Sequence, residues 1–174
     1  MPTILTTDDF IVKAPDRPHH SRENGGHIVI MPKVRYAHRY EMPLNIASKM
    51  MHLSQVLGEA FTKVMRSNGI DIVRINYQDN GNWAYKEPVY PPHLHWHLYG
   101  RTLHEKHPRN DPRFQAFPDA LVFPDESTDF YEGFRPLTEQ DCQDILSVFQ
   151  DLLTSKKYEG LKNQFWLNKS VLDF

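Results

Sequence analysis

A single cysteine, Cys142, excludes an internal disulfide and fits a reducing compartment. It falls within a helical pattern and reads as a small core residue rather than a nucleophile. Charge of one sign is also scarce: the formal net charge is −2 with histidines neutral, which argues against capture of a nucleic acid polymer by a broad basic face. A local pocket for one phosphate remains open. No stretch approaches the roughly 18 consecutive apolar residues of a membrane span. The start, MPTILTTDDF, has neither a basic n-region nor a long apolar run. The expectation is therefore a cytoplasmic protein without membrane insertion. Internal repeats and low-complexity runs are missing too.

What the chain has in excess is histidine, ten in 174 residues. Hydrophobic residues at 40% and charged residues at 24% are ordinary for a globular chain, and the length suffices for one core plus an extension. Residues 10–14 (FIVKA) read as a short strand, 15–26 as a polar loop rich in Pro and Gly, and 27–31 (HIVIM) as a buried strand stopped by Pro32. From Pro43 to Ser67 the apolar residues follow helical spacing, and Ser67-Asn68-Gly69 supplies the stop. Residues 70–77 alternate as a strand, 78–92 form a long loop, and 93–99 (HLHWHLY) form another strand. Residues 104–136 are proline-rich with little periodicity and predict an extended wrap. Thr138–Lys156 predicts a second helix, with Thr138 as N-cap and Asp141 three positions on. Phe165, Trp166 and Leu167 predict a docked tail. The sum is an α+β fold with a mainly antiparallel sheet of about five strands, one long helix and a C-terminal helical extension. The expected division is a catalytic domain over residues 1–101 and an extension over 102–174, a proline-rich wrap and then a helix, packed on it.

His93, His95 and His97 alternate with Leu94, Trp96 and Leu98. Alternate residues of a strand share a face, so the three imidazoles lie together and the apolar groups point the other way. Three readings compete. The row is a polar face that happens to hold histidines; or two of the three bind a metal with an outside carboxylate or histidine; or the central ring is a nucleophile tuned by its neighbours. A single ion shared by all three is strained, because the outer Cα atoms of an extended strand lie roughly 13 Å apart. A nucleophilic imidazole needs one bare nitrogen and one proton pinned to an acceptor. Flanking histidines roughly 7 Å away along the strand could reach phosphate oxygens and, as cations, offset transition-state charge.

HLHWHLYGR resembles the His-x-His-x-His signature of the histidine-triad (HIT) hydrolases. GGHIVIMPK, residues 25–33, resembles the strand that precedes the long helix in that family, and the order of elements matches over about residues 8–101. The resemblance implies a hydrolase that cleaves a phosphoramidate, phosphoester or phosphoanhydride bond at the α-phosphate of a nucleotide or dinucleoside polyphosphate. His95 would be the nucleophile and carry a nucleotidyl intermediate. His97 would contact the scissile phosphate and assist the leaving group, and His93 would hold the tautomer and orientation of His95. Histidine rather than Gln at 97 favours a hydrolase over a transferase or phosphorylase. His27, Asn76 and Asp16 would contact the substrate. No metal and no cofactor are implied in the covalent step, and a homodimer is the assembly common in close family members. The family's Gly-Gln-Ser/Thr before the first histidine is replaced by Pro88-Val89-Tyr90; Gln78, Asn80, Asn82, Tyr90 or a residue from the C-terminal segment are candidates to substitute. His19, His20, Arg35 and His38 read as surface residues, and His104, His107, Arg109 and Arg113 as a solvated loop. The alternatives are a metal-dependent enzyme using two of the three strand histidines, and a nucleotide-binding module without catalysis.

Overall fold

The computed structural model describes residues 2–79, 84, 91–119, 121, 123–124 and 129–164. Among these, five strands form one sheet: β1 (Thr3–Thr6), β2 (Phe10–Lys13), β3 (His27–Pro32), β4 (Arg74–Gln78) and β5 (Trp96–Arg101). The spatial order is β1-β2-β3-β5-β4, with every neighbouring pair antiparallel. Two long helices accompany it, α1 (Leu44–Ser67) and α2 (Glu139–Thr154). No helix of the described residues is long and apolar enough to cross a membrane.

Register assigns each residue of the central strands to a face, because directly opposed residues point the same way. Ile28 pairs with Leu98 and Ile30 with Trp96, and all four are buried in the main core. Leu53, Leu57, Phe61 and Val64 of α1 join that cluster, as do Ile145, Phe149 and Leu152 of α2. Each such side chain contributes about 1.5–3 kcal/mol on full burial. The helices thus take the even-numbered face of β5. The odd-numbered face carries His97 opposite Val29 and Gln78, and Tyr99 opposite His27 and Asn76.

Several boundaries differ from the sequence expectation, each for a local reason. β5 begins at Trp96, so His93 and His95 precede the ladder. Its partner β3 ends at Pro32, which has no N–H to donate. Leu94 N–H instead donates to the Tyr36 carbonyl at 2.7 Å. β4 begins at Arg74 rather than Ile70: Ile70 N–H closes the end of α1 on Met65, and Ile72 N–H turns back on Ile70. β1 adds a strand that no sequence period marks, because its four residues, TILT, are too few to show one. The helix stop held, with Gly69 at φ +79° and its N–H on the Arg66 carbonyl. Thr138 and Asp141 form the expected reciprocal capping box.

At the entry to β3, Gly25 (φ +126°) runs backbone to backbone against Gly100 of β5. A Cβ on Gly100 would come within 2.5 Å of the Gly25 carbonyl oxygen. This close approach brings the 15–26 loop onto the histidine face.

Candidate active site

Two of the three triad imidazoles, His93 and His95, are held by backbone carbonyls, which can only accept. His95 Nδ1 lies 2.8 Å from the His93 carbonyl oxygen. A carbonyl only accepts, so this nitrogen carries the proton and Nε2 of a neutral His95 is bare. His93 holds the His95 tautomer through its backbone rather than its ring. The His93 ring donates from Nε2 to the Pro32 carbonyl at 2.9 Å.

A second chain of contacts orients His97. The backbone N–H of His19 donates to Nδ1 of His27 at 3.2 Å, which leaves the proton of neutral His27 on Nε2. That N–H donates to Nδ1 of His97 at 2.8 Å. Neutral His97 therefore carries its proton on Nε2. The ring centroids of His95 and His97 are 4.6 Å apart. One ring with a bare nitrogen thus stands beside another with an N–H donor.

Burial sets the charge state. His27 and His97 are only 2% and 4% exposed. Desolvation, followed by the neighbouring His95 and His19, lowers the pKa of His97 to about 2. Desolvation and the surrounding histidines hold His27 well below the usual imidazole range, and desolvation lowers His93. The expectation of cationic flanking histidines is corrected: the rings beside His95 are neutral near pH 7, because the buried face cannot solvate several imidazolium charges.

Asn76 pairs in register with Tyr99, so it lies on the histidine face with β5 between it and His27. Gln78 pairs with His97, and its buried Oε1 has no hydrogen-bond partner among the described residues. Asp16 is exposed in the loop before β3. Pro88-Val89-Tyr90, Asn80 and Asn82 lie outside the described residues, as do Phe165, Trp166 and Leu167.

In the 15–26 loop, His19 and His20 are not surface residues: His19 is half-buried and His20 buried. His20 is fully buried, with Nε2 at 3.1 Å from the Asn24 carbonyl and 3.4 Å from Glu105 Oε1. Glu105 also receives a bidentate contact from buried Arg101 at 2.6 and 2.8 Å. His19 stacks on His27 and His97 with centroids 5.2 and 5.5 Å away, and shares a 3.3 Å hydrogen bond with Tyr99. Two adjacent histidines in a polar loop carry no period that would reveal this; the glycine pair that docks the loop was the available signal. His107 is corrected likewise. It is buried and bonded to the Phe130 carbonyl at 2.7 Å, inside a second apolar cluster of Phe130, Tyr131 and Phe134. Arg109 pairs with Glu132, and Arg113 pairs with Asp111 and Asp129.

Cys142 is buried as expected, and desolvation pushes its thiol up to about 12, so no thiolate forms near neutrality. Among the described residues, one group of three metal-capable side chains converges: His19, His27 and His97. It takes only His97 from the triad.

This architecture is the histidine-triad fold. A HIT-like protein from Bartonella henselae, described as involved in cell-cycle regulation and holding an unknown ligand, superimposes with a TM-score of 0.53 at 15% identity, covering 85% of this chain and 87% of that one. A hypothetical histidine triad nucleotide-binding protein from Sulfolobus tokodaii strain 7 gives 0.53 at 13% identity, over 87% and 85%. A histidine triad protein from Marinobacter aquaeolei VT8 gives 0.50 at 18% identity, over 87% and 88%. No family model and no curated protein matches the sequence. At these identities the likeness is one of fold.

Proposed function

We propose that the chain is a nucleotide hydrolase that breaks a phosphoramidate, phosphoester or phosphoanhydride bond at the α-phosphate through a nucleotidyl-histidine intermediate. The observation that carries this reading is the Nδ1 proton of His95 committed to the His93 carbonyl, which leaves Nε2 bare beside His97. In the first step Nε2 of His95 attacks the α-phosphorus, a P–N bond forms, and the bond to the leaving group breaks, the leaving group taking a proton from solvent. In the second, water attacks the same phosphorus and gives up a proton to solvent, the P–N bond breaks, and the nucleoside monophosphate leaves with His95 restored. The Nε2–H of neutral His97 donates to an oxygen that gains charge in both steps. A neutral donor placed in a desolvated site stabilises that charge without itself needing to ionise.

Asn76 and Gln78, on the same face, are the proposed polar contacts to the substrate, with Asp16 at the loop mouth. Gln78 has the amide needed to replace part of the absent Gly-Gln-Ser/Thr. In this reading residues 1–101 are the catalytic unit, 102–174 are the extension packed on it, the setting is cytoplasmic and the assembly is a homodimer. The S. tokodaii neighbour, described as nucleotide-binding, is consistent with a nucleotide substrate.

His95→Ala tests the reading. Loss of the nucleophile should lower turnover of dinucleoside polyphosphates and nucleoside phosphoramidates by several powers of ten while nucleotide binding persists. Retention of more than about a tenth of the wild-type rate would contradict it.

A further inference from the structure

We propose that His19, His27 and His97 form a binding site for a divalent transition-metal ion of the zinc class, in which the ion takes the place of the proton shared by His27 and His97. The proposal does not rest on the hydrolase reading. Three separate segments supply the ligands: the 15–26 loop, β3 and β5. One ligand nitrogen from each ring lies within 4.8 Å of the other two, and the His27–His97 pair is already at 2.8 Å.

Zinc binds imidazole nitrogen at about 2.0–2.1 Å, which spaces the nitrogens of a tetrahedral site about 3.3 Å apart. The short pair must open by roughly 0.5 Å and His19 must move inward. His19 sits on a loop, stacked over both other rings and hydrogen-bonded to Tyr99 at 3.3 Å, so rotation of its side chain supplies that movement at the cost of the long Tyr99 contact. A three-histidine set leaves one tetrahedral position for water or an anion. Imidazole donors without thiolate suit zinc, cobalt or nickel rather than magnesium or calcium, which prefer oxygen.

Entry of the ion has a definite cost. His27 Nε2 must give up its proton, which moves to Nδ1, and the His19 N–H contact to that atom is lost. At 3.2 Å this is a long hydrogen bond. His97 gives up nothing: its Nδ1 is already bare, and its Nε2–H is unchanged by coordination on the other nitrogen. The metal-bound and metal-free states therefore hold His97 in the same tautomer.

The test is equilibrium dialysis of the full chain against zinc chloride with metal analysis, followed by cobalt chloride with visible absorption. One ion per chain and the intense visible bands of tetrahedral cobalt are expected. His19→Ala should weaken binding by at least about a hundredfold, since even an outer-shell change costs ten- to a hundredfold. His19→Cys restores a ligand and should restore binding, shifting the cobalt spectrum toward thiolate coordination. His93→Ala should leave binding unchanged. Absence of stoichiometric metal, equal binding by His19→Ala, or loss of binding in His93→Ala would each overturn the proposal. Stoichiometric zinc together with no nucleotidyl adduct would refute the hydrolase reading and leave this one standing.

Discussion

A backbone carbonyl can only accept and a backbone N–H can only donate, and these two facts orient the histidine face. The His93 carbonyl fixes the proton of His95, and the His19 N–H fixes, through His27, the proton of His97. His97→Ala removes the donor beside the bare nitrogen. The expected result is a fall in kcat of about a hundred- to a thousandfold with a smaller change in KM, and a change confined to KM would deny His97 a transition-state role. Gln at 97 keeps an N–H but not the rigid ring that His27 orients, so His97→Gln should fall between wild type and His97→Ala.

Burial of these rings also makes stability depend on pH. The folded pKa values of His27 and His97 lie below the unfolded value of about 6.5. Below that value the unfolded chain binds more protons than the folded one, so stability falls as pH falls. The loss runs from about pH 6.5 down toward the His97 value of about 2, at up to about 1.4 kcal/mol per pH unit per histidine. Urea unfolding of wild type and of His97→Asn between pH 7.5 and 5 checks this: the variant should show the shallower slope.

At the scale of elements, α2 is tied to the β3 entry by one buried carboxylate. Asp141 caps α2 with Thr138, accepts from Arg22 at 2.6 and 2.8 Å, and accepts from Asn68 at 2.9 Å at the end of α1. Burial pushes its pKa up, but the hydrogen bonds from Arg22 and Thr138 outweigh this and hold it at about 2. Asp141→Ala leaves Arg22 and Asn68 without that acceptor and removes the carboxylate half of the capping box, while Thr138 Oγ1 still accepts the N–H of residue 141. The expected destabilisation is about 3–5 kcal/mol, read from the shift in urea midpoint at neutral pH. A change below about 1 kcal/mol would show that the cluster does not join α2 to the rest. The capping half of the cluster was legible in sequence, since a cap acts over three residues. The Arg22 and Asn68 halves span 119 and 73 residues and leave no local trace.

Across the whole molecule, what the sequence made legible was periodic. The long helix and the apolar face of β5 follow from spacing, and the register of β3, β4 and β5 agrees with them; of the three alternating histidines only His97 lies in the ladder. What stayed hidden was non-periodic. The 15–26 loop folds inward because Gly25 meets Gly100, which carries His19 and His20 to places that no local pattern marks. The proline-rich wrap gathers Phe130, Tyr131 and Phe134 into a cluster of its own, sets Phe123 against Tyr99, and lays Phe117 under the buried Arg101 that pairs with Glu105. The even-numbered face of β5 therefore holds the apolar core, and the odd-numbered face carries His97 at the site of the proposed chemistry.

The most direct test of that chemistry is intact-mass analysis of the chain quenched in alkali, where a phosphoramidate survives, during turnover of a nucleoside phosphoramidate or dinucleoside polyphosphate. A mass increase of one nucleoside monophosphate, mapped to His95 and absent in His95→Ala, is the result expected. Turnover without any adduct, or an adduct mapped to another residue, would contradict a bare Nε2 on His95 as the attacking atom.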